Sequence, residues 1–283
     1  MTVIRSIQHI QRSRPTIEGA GVHLKRAFGS ADVPQFDPFL MLDDFHSDRP
    51  ADYMAGFPWH PHRGIETVTY MISGEVEHGD SLGNKGVIRS GEVQWMTAGR
   101  GIIHQEMPHR QKGTLWGLQL WVNLPASHKM MGPRYRDIRA TDIPECRLGS
   151  GGIVKVVAGS FNGCRGPLGD LIGDPEYLDV SIPGGAEFAH AITKGHTVFA
   201  YILEGEGRFA PGQEKAIPAE SLVLYGDGDK VSIKAEKAGL RFLLISGRPL
   251  GEPVTWRGPI VMNTEEELAV AFSEYRNGTF IKV

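Results

Sequence analysis

Two short patterns hold the residue types that could do chemistry. His60-Pro61-His62 and His104-Gln105-Glu106 each place two donor side chains two residues apart. In a strand, residues i and i+2 face the same way. His60 and His62 can therefore aim two imidazoles into one space, and His104 and Glu106 can do the same from a neighbouring strand. Three neutral imidazoles and one carboxylate suit a borderline divalent metal: Fe, Zn, Cu, Ni, Co or Mn. Four ligands on one side of the ion would leave the other side for water, substrate or dioxygen. A lone His-x-His is more often surface polarity than a ligand pair. Two such pairs, each beside a Gly-rich turn, favour the metal. Glu66 is a competing carboxylate. Seven of the 11 histidines lie between His46 and His128. Within that cluster His78 and His109 read as turn or surface groups, His128 as a loop residue and His46 as surface polarity.

The elements that must carry these residues are strands. Runs 67–73, Val93–Thr97 and Leu115–Asn123 are β-branched or aromatic, and 86–91 is a short run flanked by Gly. Segment 36–45 is apolar and ends in acids, and the first 36 residues read as short strands and turns. Further strand-like runs follow at 152–158, 178–182, 197–203, Ser221–Tyr225 and 240–246. Short strands with turn signals between them indicate sandwiches or barrels. One helix is expected over Glu265–Arg276, with Thr264 as its cap, acids in its first turn, and Leu268, Ala271, Phe272 and Tyr275 on one face. The halves repeat weakly: Tyr70 to Glu75 matches Tyr201 to Glu206, and Gly91 to Met96 matches 219–224.

Composition narrows the function. The 283 residues fit two domains at about 150 residues each. Net charge is −3 and the basic residues are scattered, which argues against direct nucleic-acid binding. No apolar run approaches the length of a membrane helix, and the first residues lack the apolar core of a secretory signal. Cys146 and Cys164 are too few for a disulfide scaffold, so reduced thiols and a cytoplasmic location are expected (nuclear as well in a eukaryote).

Runs 56–74 and 91–104 resemble the two cupin motifs. More specifically, 37–45, 57–70, the piece Gly99-Arg100-Gly101-Ile102-Ile103-His104-Gln105-Glu106 and the tail 258–267 resemble the pirin family, over nearly the whole chain. The resemblance implies an all-β fold of two tandem cupin barrels, jelly-roll-like, with a short C-terminal helix. The expected domains are 1–148, bearing the metal, and 149–283, ending in the helix. The resemblance further implies one divalent metal, iron by preference, held by His60, His62, His104 and Glu106. A typical cupin would use Glu66 instead of Glu106. Thr97 stands where a cupin often has Pro. By the repeat offsets, His60, His62, His104 and Glu106 correspond to Ala191, Thr193, Ser232 and Lys234, so no second metal is expected in the C-terminal unit.

The family resemblance implies activity similar to that of quercetin 2,3-dioxygenase, in which a flavonol ring is opened with O2 and CO is released. A flavonol 3-hydroxyl would bind the open metal position, with Glu106 as base as well as ligand. Phe45, Met54, Phe57 and Trp59 are candidate pocket walls. The alternative reading is a metal- or redox-responsive regulator that binds a protein partner through Arg63, Arg89, Arg100 and Arg110. A monomer is expected, and no membrane association.

Overall fold

β-Branched and aromatic runs bounded by Gly and Pro form strands along almost the whole chain. The computed structural model describes residues 2–110 and 113–282. They fall into two compact β units, the two cupin barrels expected from the sequence.

The N-terminal barrel comprises Arg14–Ala140 together with the chain from Leu250 onward. Its larger sheet has seven strands, in the order Arg134–Ile138, Val93–Thr97, Ile65–Ser73, Leu115–Asn123, Phe39–Ser47, Val22–Phe28 and Arg14–Glu18. Its smaller sheet runs Phe57–His62, Ile102–Pro108, Glu75–Asp80, Lys85–Arg89. Every pairing in both is antiparallel. Burial alternates strictly along Ile102–Pro108, with 102, 104, 106 and 108 buried. His104 and Glu106 therefore share the inward face. The core includes Val22, Phe45, Met71 and Leu115 in one cluster, and Leu40, Ile65, Met96 and Ile102 in another.

The C-terminal barrel takes the chain up to Ser13 and Thr141–Pro249. Its nine-stranded sheet centres on the 18-residue strand Lys230–Gly247, which pairs with Glu176–Ile182, Glu187–Ala191 and Thr197–Arg208. Phe161, Phe188, Phe209 and Phe242 fill its interior.

Both ends of the chain depart from a single cut after residue 148. Strand Ile7–Arg12 pairs antiparallel with Ser221–Tyr225 and so belongs to the C-terminal barrel. The helix Glu265–Arg276 buries Leu268 and Ala271 in a cluster with Ile260, Met262 and Phe280, and belongs to the N-terminal barrel. Backbone pairing and apolar burial, not proximity in sequence, decide membership. The helix starts as expected: Thr264 accepts from the Glu267 amide at 3.2 Å, and the Glu267 carboxylate accepts from the Thr264 amide at 3.1 Å. The expectation of separate thiols is corrected, because Cys146 and Cys164 are joined as a disulfide across an 18-residue separation. Among the described residues no helix is long and apolar enough to cross a membrane.

Candidate metal centre

The strand pair Phe57–His62 and Ile102–Pro108 sets His60 directly opposite His104. Donor nitrogens of His60, His62 and His104 all lie within 4.8 Å of one another. His62 and His104 are about 1% exposed and His60 is half-buried. Burial, followed by the neighbouring imidazoles, holds His62 and His104 well below the ordinary histidine pKa. Both are therefore neutral at neutral pH, as ligands must be.

The hydrogen bonds fix which nitrogen is free. His60 Nδ1 lies 2.8 Å from the Pro58 carbonyl, and His62 Nδ1 lies 3.0 Å from the Pro259 carbonyl. A carbonyl only accepts, so each Nδ1 carries a proton, and in a neutral ring the Nε2 then keeps its lone pair. Those two Nε2 atoms face each other at 3.0 Å. Two lone pairs at that distance repel unless a cation lies beside both. Both ring nitrogens of His104 are buried without a hydrogen-bond partner. Three convergent imidazoles, two tied through Nδ1 to carbonyls and one orphaned, fit a transition-metal ion.

Gly64, just after the strand Phe57–His62, is required by its backbone. It has φ +79°, and a Cβ there would overlap the Val261 carbonyl. Lys129 secures the same junction: its ammonium donates to the carbonyls of Gly64 (2.9 Å) and Val261 (2.9 Å) and to Asn123 Oδ1 (2.8 Å). Val261 lies two residues beyond Pro259, so this clamp holds together the two segments that orient His62.

A cavity of about 570 Å³ opens on His60 and His62. Phe45, Phe57 and Trp59 line it as expected, and so do Gln119, Trp121, Trp256 and Pro259. Met54 instead packs against the apolar cluster containing Phe45 and Tyr53.

Two family models match the chain. Pirin matches residues 21–122, and the Pirin C-terminal cupin domain matches residues 177–281. A pirin-like protein of Caulobacter vibrioides is 44% identical over 278 residues, covering 98% of this chain and 99% of the relative. The chain belongs to the pirin family. Pirin-1 of Arabidopsis thaliana is 43% identical, covering 92% of this chain and 89% of its own. The crystal structure of a quercetin 2,3-dioxygenase from Acinetobacter baumannii superposes with a TM-score of 0.90 at 31% identity, with 98% of each chain covered.

Within this pirin framework the two carboxylates separate clearly. Glu106 is buried on the inward face, opposite His78 on one side and Phe57 on the other. Its carboxylate accepts from Thr69 Oγ1 at 3.0 Å and from Gln119 Nε2 at 2.9 and 3.1 Å. It lies outside the set formed by the three histidines. Glu66 is committed elsewhere, accepting from Trp95 Nε1 at 3.0 Å and from Thr97 Oγ1, with Arg136 at 3.6 Å. Thr97, standing where a cupin often has Pro, thus holds Glu66.

Other sequence expectations change. His78 is not a surface group: it is 2% exposed and stacks on Tyr135 at 5.2 Å. His46 is exposed and stacks on Trp116, His109 sits near Glu75 and Glu77, and His128 is exposed beside Ser127. Arg63 is 1% exposed, pairs with Glu274 at 2.8 Å and donates to the Phe280 carbonyl at 3.0 Å, so it offers no partner surface. Arg89 and Arg110 are exposed and Arg100 is half-buried.

In the pirin C-terminal barrel the register differs from the offset mapping. Ala191 and Lys234 are exposed, and Ser232 is outside the core. The inward pairs are Phe188 opposite Ile233 and His190 opposite Val231. Phe188, Val231 and Ile233 thus fill this face with apolar side chains. His190 remains, bonded to Glu176 at 2.9 Å. Among the described residues only the N-terminal trio forms a metal-compatible group.

Proposed function

We propose that His60, His62, His104 and Glu106 hold one divalent transition metal, iron by preference, and that the protein opens flavonol-type rings with dioxygen. The observation that carries this reading is the pair of Nε2 lone pairs at 3.0 Å beside the orphaned His104 ring. The likeness to a quercetin 2,3-dioxygenase supports the substrate class. When bound, the metal supplies Lewis acidity and a site for electron exchange with oxygen.

The chain's residues do the remaining work. Trp121 and Trp256, with ring centres 5.7 Å apart, and Phe45 and Phe57 form apolar walls that accept a planar aromatic ligand and exclude water. Glu106 takes the proton of the flavonol 3-hydroxyl. Gln119 and Thr69 aim its carboxylate and stay neutral themselves. Both oxygen atoms of O2 enter the product, and one ring carbon leaves as CO. Oxygen uptake and CO release with quercetin, after loading with Fe, Cu, Ni, Co or Mn, test the reading. Absence of both with every metal would overturn it.

A further inference from the structure

The same cavity is lined by three charged side chains that the reaction above does not use, Glu18, Arg26 and Asp43. Thr69, Gln119, Asp43 and Arg26 occupy directly paired positions on four successive strands of the seven-stranded sheet. Direct cross-strand partners point to one face. Neighbouring strands are about 4.8 Å apart, so Arg26 stands roughly 10 Å from Gln119 along this row. The row therefore begins at the donors that hold Glu106 and ends in an ionic cluster.

That cluster has a rigid part and an open part. Arg26 gives Nε and Nη2 to the two Asp43 oxygens, both at 2.8 Å, and Asp43 is 4% exposed. Arg26 Nη2 also meets Glu18 Oε1 at 2.9 Å, and the Glu18 side chain is 40% exposed. Exposed ion pairs add little to stability, so the fold does not need the Glu18 contact. Arg26, Asp43 and Glu18 nevertheless line the cavity that His60 and His62 line, with Trp121 and Trp256 also in its wall. An aromatic slot with imidazoles at one end and a fixed guanidinium with a solvent-facing carboxylate at the other is polar at both ends.

We propose that Glu18 and Arg26 form a second subsite that recognises hydroxyl groups on the pendant ring of the ligand, so that the preferred substrates are polyphenols hydroxylated at both ends. This rests on the flavonol reading of the same cavity. A phenolic O–H donates to the Glu18 carboxylate, and an Arg26 N–H donates to a phenolic oxygen. Asp43 acts by holding Arg26 in place.

The test compares quercetin with galangin, which lacks only the two pendant-ring hydroxyls. Binding to the metal-loaded protein is followed without oxygen by quenching of tryptophan fluorescence. In Glu18→Leu the preference for quercetin over galangin should fall about tenfold, the size of one charge-assisted hydrogen bond. Glu18→Gln, which keeps shape and some hydrogen bonding, should fall between. An unchanged ratio in both variants, or equal weakening of both ligands, would overturn the subsite. Turnover is read separately. If neither flavonol is consumed but the ratio shifts, the dioxygenase reading fails and the subsite stands. If both are consumed and the ratio is unmoved, the subsite alone fails.

Discussion

His60 Nε2 and His62 Nε2 face each other at 3.0 Å while their Nδ1 atoms are tied to the carbonyls of Pro58 and Pro259. The two tethers are far apart in sequence, one two residues before His60 and the other 197 residues after His62. The His62 imidazole is therefore aimed by the segment that follows the whole C-terminal barrel in sequence.

The carboxylate of Glu106 depends on Gln119 in the same way. Gln119→Leu keeps the volume and removes both amide donors to Glu106. Residues that orient metal-site groups are typically worth about 10–100-fold in affinity or activity. Turnover of quercetin should fall in that range while the three histidines still bind metal. Metal content and oxygen uptake measured on one preparation check this, and unaltered turnover would contradict it.

Arg63 and Glu274 give a prediction about stability. Arg63 is buried, lies over the Phe280 ring at 4.2 Å and pairs with Glu274 on the terminal helix. Arg63→Met removes the pair and the bond to the Phe280 carbonyl, and should cost about 2–3 kcal/mol in urea unfolding. Arg63→Lys should recover less than half of that, because an ammonium lacks the planar fork.

Lys129 makes stability depend on pH. Burial lowers its pKa from 10.5 to about 8. The unfolded chain keeps the ordinary value, so between these limits the unfolded state holds more protons and stability rises with pH. The slope is at most about 1.4 kcal/mol per pH unit. Compared with Lys129→Met, the wild-type protein should gain stability in urea unfolding between pH 8 and 10. Parallel profiles would contradict the assignment.

The strands that carry the candidate ligands are legible in the sequence because period-two spacing makes His60 with His62 and His104 with Glu106 co-facial whatever the surrounding fold. Gln119 carries a sequence mark, an amide within an otherwise apolar strand run. Pro259 carries none, because a backbone carbonyl leaves no trace in the sequence and its place is set by chain topology. The C-terminal barrel shows how register defeats a repeat offset. Loops of unequal length shift the offset, and an odd error moves every assignment to the opposite face. The offset points to Ser232 and Lys234, whereas Ile233 and Ala235 are the residues in the core. The membership of the two chain ends was equally hidden, since it rests on pairings such as Ile10 with Val223.

The most direct test of the proposed metal-dependent dioxygenase activity is His62→Ala. Elemental analysis and oxygen uptake with quercetin are measured on the wild-type and variant proteins after identical metal loading. The account predicts one metal per wild-type chain with quercetin-dependent uptake, and loss of both in the variant. Undiminished uptake by a metal-free His62→Ala protein would contradict it.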